Sequence, residues 1–220
     1  MSHWITMVTP HGPMNGWSAE PDDKPKGGVV LVHEIFGAND DMRQIAERYA
    51  EDGYLTVVPA LFDKIQNEVE LGYGPEDIQL GNTLAGKMGL KTAAELVAIT
   101  ADAIAHAGDV AIIGYGWGGQ VALLAAQSLS LPCIVYGEAE AFSGQTAQPT
   151  TPVLVHCTPH DNGDETLYRE QGPNRQVNVY FGQSGFYRTG DPQHHHVENA
   201  DLALQRSLDF LRTHIRQEDN

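Results

Sequence analysis

The sequence predicts an α/β protein: a mostly parallel, doubly wound sheet flanked by helices and folded as one domain over residues 1–220. Three observations carry this prediction. Continuous apolar runs of strand length recur, as in "GGVVLV", "YLTVV", "DVAIIGYG" and "TPVLVHC". Strands that are apolar at every position are buried on both faces, as parallel sheets require. Between them lie segments of helical periodicity, and this alternation is the pattern of helices covering both faces of one sheet.

Taken in order, "WITMV", a His-Gly-Pro turn and "MNGWSAE" form a hairpin over residues 4–18. The run Val29–Val32 is a strand buried on both faces. "NDDMRQIAERYAEDG" is a helix with Met42, Ile45, Ala46 and Tyr49 on its inner face, Asp40 as the expected N-cap and Gly53 as its stop. "YLTVVPALF" is a strand broken at Pro59. Residues 63–91 carry Gly72, Gly74, Pro75, Gly81, Gly86 and Gly89, and are expected to be an irregular excursion or lid. "KTAAELVAITADAIAHAG" is an amphipathic helix, "DVAIIGYG" a strand, and "GGQVALLAAQSL" a helix. "PCIVYGE" and "TPVLVHCT" are strands, "DETLYREQG" a weak helix and "QVNVYFG" a strand. "NADLALQRSLDFLRTHI" closes as a helix with Leu202, Leu208 and Leu211 toward the core.

Composition narrows the function. The net charge of −16 repels nucleic acid and anionic membranes, which are bound mainly through Lys and Arg. No apolar run reaches the length of a bilayer span, and the N-terminus lacks a basic, then apolar, leader pattern. With only Cys133 and Cys157, both in apolar strands, a disulfide framework is not expected. A small-molecule substrate, a cytoplasmic location, no cofactor and a monomer or homodimer are the corresponding expectations. An anionic substrate would need a local positive spot, which makes the few arginines informative.

In parallel sheets ligands bind at the carboxyl ends of the strands. That rule selects His33 and Glu34, Tyr115 to Trp117, Gly137 and Glu138, Cys157 to Asp161, and the loop from Gln183 onward. On "VVLVHEIFGANDDMRQIAERYAEDGYLTVVPALF", "IGYGWGG", "TPVLVHCTPHD" and "VYFGQSGFYR", the chain resembles the dienelactone hydrolase family of α/β-hydrolases over residues 13–213. The resemblance implies that fold and a small, anionic lactone or carbonyl substrate. It also implies site positions. Gly116 stands where the family has its nucleophilic cysteine, and Ser184 where it has its catalytic histidine. Asp161 matches the triad acid, Glu34 the glutamate beside the resting thiol, and Arg188 an arginine that grips a substrate carboxylate. A second carboxylate-binding arginine, expected in residues 63–91, is absent; that segment has only lysines.

Glycine at the elbow tip excludes acyl-enzyme catalysis there, since no covalent bond can form. The oxyanion donors are backbone groups, the N–H of Trp117 and of Ile35, and survive that change. Glu34 and Asp161 are the catalytic candidates, with burial expected to push Glu34 toward general-base range. Arg188, Tyr115, Trp117, Ile35, Gly116 and Ser184 are the substrate-binding candidates, with Tyr115 favoured as a packing residue of the elbow over a proton donor. Glu138 could join Glu34, and Asp161 could pair with His160 or Arg188. The run His194, His195 and His196 matches no zinc spacing, and adjacent histidines point apart, so no metal site is assigned; one of them could instead replace the base missing at Ser184. Cys157 could be a relocated nucleophile or a buried structural cysteine. Three readings follow: an enzyme of nucleophile-free acid–base chemistry, a lactone or ester hydrolase with a displaced catalytic set, and a non-catalytic carboxylate-binding protein.

Overall fold

The computed structural model describes residues 1–137, 149–159 and 173–215. Within them an eight-stranded sheet runs in the order β1-β2-β4-β3-β5-β6-β7-β8. Strands β1 (Ser2–Thr9) and β2 (Gly12–Ala19) are the antiparallel hairpin, and β2 pairs antiparallel with β4 (Leu55–Pro59). The remaining pairs are parallel: β3 (Gly28–Val32) lies between β4 and β5 (Val110–Tyr115). Beyond β5 come β6 (Cys133–Tyr136), β7 (Val153–Cys157) and β8 (Arg175–Val179). This is the expected mostly parallel α/β-hydrolase architecture.

Alternate residues of the central strands feed two cores. Val30, Val32, Ile112, Val135 and Val155 face the layer of helices α2 (Pro75–Met88), α3 (Leu90–Ala103) and α4 (Trp117–Leu129). Val29, Leu31, Ile113, Ile134 and Leu154 face α1 (Asp40–Glu51) and α5 (Val197–His214). Both faces are therefore dry, which is why these strands read as unbroken apolar runs.

Three local expectations are corrected. Residues 75–88 of the expected excursion are the helix α2, with Pro75 at its first turn, Glu76 and Asp77 behind it, and Gly89 ending it at φ +70°. The glycines that argued against a helix have separate uses. Gly81 lies so close to the chain at Ile35 that a Cβ would fall 2.4 Å from the Ile35 carbonyl oxygen. The N-cap of α1 is Asn39, whose side chain accepts from the Met42 N–H at 3.3 Å. Asp40 is left to pair with Arg43. In α5, Leu208 and Leu211 are buried but Leu202 is 45% exposed, since it falls on the outer side of the turn. The weak helix expected over residues 164–172 lies outside the described residues.

Candidate active site

The site forms where β3 and β5 end. Beyond Val32 the chain turns at His33, whose ring is fully buried. Its Nε2 accepts from the Leu61 N–H at 3.2 Å, which leaves Nδ1–H to donate to the Glu34 carbonyl at 2.6 Å. Burial holds the imidazole neutral, with its pKa lowered to about 4 although backbone hydrogen bonds work the other way. His33 is thus a strut that aims the next residue.

The turn from β5 into α4 is the second half of the site. Gly116 sits at its tip with φ +52° and ψ −121°, a conformation that side chains rarely adopt. Its N–H donates to the Tyr136 carbonyl at 2.8 Å, and its own carbonyl accepts from the Gly119 N–H at 2.9 Å. Gly118 sets the approach of α4 to β3: a Cβ there would meet the His33 oxygen at 2.3 Å and the Val32 oxygen at 2.5 Å. The first N–H groups of α4, with no acceptor inside the helix, are thereby brought beside the end of β3.

Glu34 fills the space above the tip. A Cβ on Gly116 would lie 2.8 Å from Glu34 Oε1 and 3.4 Å from its Cγ. The carboxylate is buried, and its partners come from the loop after β8. Arg188 donates from Nε to Oε2 at 2.9 Å and from Nη2 to Oε1 at 2.6 Å, and the Tyr187 hydroxyl donates to Oε1 at 2.8 Å. Burial works against the charge on Arg188, but the Glu34 carboxylate outweighs it and the net shift is upward, so the guanidinium stays ionised. Its carbon lies 5.2, 5.3 and 5.8 Å from the ring centres of Phe36, Tyr73 and Tyr187. Gly185 at φ +84° makes room for this fold-back, because a Cβ there would meet Nη1 at 2.6 Å.

The loop is clamped from behind by Asp41 at the start of α1. This buried carboxylate accepts from Tyr73, from Thr189 Oγ1 at 2.5 Å and from the Gly190 N–H at 2.9 Å. Asp191 accepts from His194 Nδ1 at 2.7 Å and stands 3.7 Å from Arg188 Nη1. A hollow of about 600 Å³ opens beside Tyr73 and Asp191.

The structure therefore joins Glu34, Arg188 and Gly116, with Ile35 and Trp117 the next residues in the chain after Glu34 and Gly116. Arg188 is not a free positive spot, because Glu34 already occupies its carboxylate-binding edge. Tyr115 is corrected as a pocket residue: its ring is 2% exposed, stacked on Tyr136 at 4.4 Å in the core that faces α1 and α5. Trp117 is half-buried and packs toward Phe62 and His33, with ring centres 5.5 and 6.3 Å away. Ser184 is half-buried in the Arg188 loop. Cys157 is buried on the α3 and α4 side, its thiol 3.7 Å from the Asn178 carbonyl, which removes the geometric basis for a relocated nucleophile. His156 is buried between Tyr180 and Ser207, and His196 caps α5. Among the described residues no group of three His, Cys, Asp or Glu could hold a metal. Glu138, His160 and Asp161 lie outside the described residues. Sequence reading missed Tyr187, Phe36, Tyr73, Asp41 and Asp191; the string "GFYRTGD" held two of them, Tyr187 and Asp191, but no local pattern says that they turn toward the Glu34–Arg188 pair.

Known proteins share the sequence pattern and the fold. A relative from Synechocystis, provisionally named carboxymethylenebutenolidase, is 32% identical over 139 residues, covering 59% of this chain and 54% of its own length. The chain thus spans about half of that relative. One of the same provisional name from Yersinia pestis is 26% identical over 226 residues, covering 89% of this chain and 82% of its own. The crystal structure of a provisionally named dienelactone hydrolase from Klebsiella pneumoniae superposes with a TM-score of 0.74 at 21% identity, covering 95% and 97% of the two chains, and shows the shared fold. No helix among the described residues is long and apolar enough to cross a membrane. Residues 14–215 match the dienelactone hydrolase family along nearly the whole chain, and the protein belongs to that family.

Proposed function

We propose that this protein acts on a small lactone or related carbonyl compound by acid–base chemistry, with Glu34 in place of a nucleophile at the elbow. The carrying observation is the position of the carboxylate: its Oε1 stands 2.8 Å from where the first side-chain atom of residue 116 would be. On this reading Gly116 and Ser184 occupy the family's nucleophile and histidine positions, and no covalent intermediate forms. The N–H groups of Trp117 and Ile35 take the developing oxyanion, an effect worth ~3 kcal/mol per donor in such sites. Glu34 moves a proton at the carbon or oxygen next to it, and Tyr187, hydrogen-bonded to the same oxygen, passes protons to and from it. The relatives' names, carboxymethylenebutenolidase and dienelactone hydrolase, support an unsaturated lactone as substrate class.

One observation favours a second reading, hydrolysis by activated water. His194 is oriented by Asp191 in the manner of a general base and is about one-third exposed at the neighbouring hollow. Mass spectrometry on a panel of unsaturated lactones separates the two. Isomerisation leaves the substrate mass unchanged, whereas hydrolysis adds one water. Glu34→Gln is expected to abolish isomerisation, and His194→Gln to leave it intact. Full turnover in Glu34→Gln overturns the proposal; loss of a water-adding activity in His194→Gln establishes the second reading.

A further inference from the structure

Two carboxylates hold the loop that carries Arg188. Glu34 takes the side chains of Tyr187 and Arg188. Asp41 takes the two residues that follow, Thr189 through Oγ1 at 2.5 Å and Gly190 through its N–H at 2.9 Å. Two turns fix the backbone between them: the Arg188 N–H donates to the Gly185 carbonyl at 2.9 Å, and the Asp191 N–H to the Arg188 carbonyl at 3.3 Å. Gly190 lets Asp41 come close, since a Cβ there would lie 3.2 Å from Oδ2. The same carboxylate accepts from the Tyr73 hydroxyl. The Tyr73 ring stands edge-on to Phe36, with ring centres 4.7 Å apart, and its centre is 5.3 Å from the Arg188 guanidinium carbon. Helix α1 does not need Asp41 as its cap, because Asn39 already accepts from the Met42 N–H. An exposed aspartate in that first turn would serve the helix dipole as well. Asp41 is instead buried, and its three donors come from two other segments, one before α2 and one after β8.

We propose that Asp41 is a positioning residue for Arg188, acting on the site at one remove. An arginine side chain has many rotamers, and a two-point contact with a carboxylate needs all of its torsions fixed together. A buried carboxylate has to be hydrogen-bonded, so Asp41 and its donors fix one another's positions. Asp41 thereby sets the backbone at the foot of the Arg188 side chain and the Tyr73 ring beside its head. The guanidinium then meets Glu34 in one geometry, as a prearranged site requires. Asp41 lies outside the positions that the family resemblance marks, and none of its three hydrogen bonds goes to Glu34 or to the elbow. Its part in the reaction rests on the reading of Glu34 as the proton-transfer group; its hold on Arg188 does not.

Side-chain NMR tests that hold without turnover, so an absence of chemistry would count against the proposed function and not against this inference. The signal is the solvent exchange of the Arg188 Nε–H, assigned from the backbone of residue 188, with the α1 amides of Ala46 and Tyr49 as internal controls. Asp41→Asn leaves one acceptor oxygen for three donors. It is expected to speed the Arg188 Nε–H exchange about tenfold or more while the two α1 amides keep their protection. Thr189→Val, an exposed position, is expected to speed the same exchange about threefold. Thr189→Ser keeps the hydroxyl and is expected to match the parent. Should Asp41→Asn fold poorly, the contrast of Thr189→Val with Thr189→Ser carries the test. Unchanged Arg188 exchange in a folded Asp41→Asn protein, or in Thr189→Val where that variant is not recovered, overturns the inference. An equal rise at the α1 amides also overturns it, since Asp41 would then serve only the stability of its helix. Once a lactone is found that turns over, kcat is expected to fall in the order in which Arg188 loses protection. Undiminished kcat in a variant whose Arg188 Nε–H is unprotected overturns the part of Asp41 in the reaction.

Discussion

At the scale of single residues, the site is governed by what glycine omits. Gly116 holds φ +52° and leaves a gap that Glu34 Oε1 enters to within 2.8 Å of the absent Cβ. Gly116→Ala must therefore strain the backbone and push the carboxylate off Arg188. The expected loss is about 1–3 kcal/mol in urea unfolding, together with a fall in activity. An alanine variant as stable as the parent would show that Glu34 moves freely there. The Glu34–Arg188 pair is the opposite case, a contact whose halves depend on each other. Arg188→Gln leaves a buried carboxylate unpaired and is expected to cost about 3–5 kcal/mol, read from the same unfolding curves.

At the scale of elements, close approach decides where the site groups end up. Helix α4 reaches β3 through Gly118, and helix α2 reaches Ile35 through Gly81. The glycines of α2 make a paired prediction. Gly81→Ala would drive a methyl into the Ile35 carbonyl and is expected to destabilise by about 1–3 kcal/mol, with a loss of activity as the Ile35 backbone shifts. Gly86, on the exposed side of the same helix, has nothing within 4 Å of a new Cβ. Gly86→Ala is expected to stabilise by about 0.5–1 kcal/mol. Equal effects of the two substitutions in thermal unfolding would refute the docking of α2 on Ile35. Both glycines look alike in the sequence, which is why residues 63–91 read as irregular: composition counts glycines, while only packing distinguishes a contact from an exposed turn.

At the scale of the whole molecule, two buried neutral histidines make stability depend on pH. His33 beside the site is lowered to about 4 by burial, and His156 between β7 and α5 to about 3 by burial and by the nearby charge of Arg206. Both titrate near 6.5 in an unfolded chain. Between 6.5 and these values the unfolded state binds more protons, so stability rises with pH through that window and is lost as pH falls. The melting temperature is expected to be level, with respect to these groups, above pH 7 and to fall from about pH 6.5 toward pH 4. In His156→Gln, whose amide carries no such titration, the slope should be shallower; an unchanged slope would assign the acid sensitivity to other groups.

The sequence by itself determined the sheet, its doubly covered strands, the family and the lack of a side chain at residue 116. These follow from local periodicity and from motifs in chain order, which short windows carry. It could not determine what Arg188 binds. The arginine lies 154 positions from Glu34, and nothing local predicts their meeting. That contact depends on the fold-back at Gly185, the clamp of Asp41 on Thr189 and Gly190, and the ring of Phe36, Tyr73 and Tyr187. These groups come from separate parts of the chain and meet only when the sheet is assembled. An isolated arginine reads as a site for an anion; only the tertiary structure reveals that the protein's own carboxylate already occupies it.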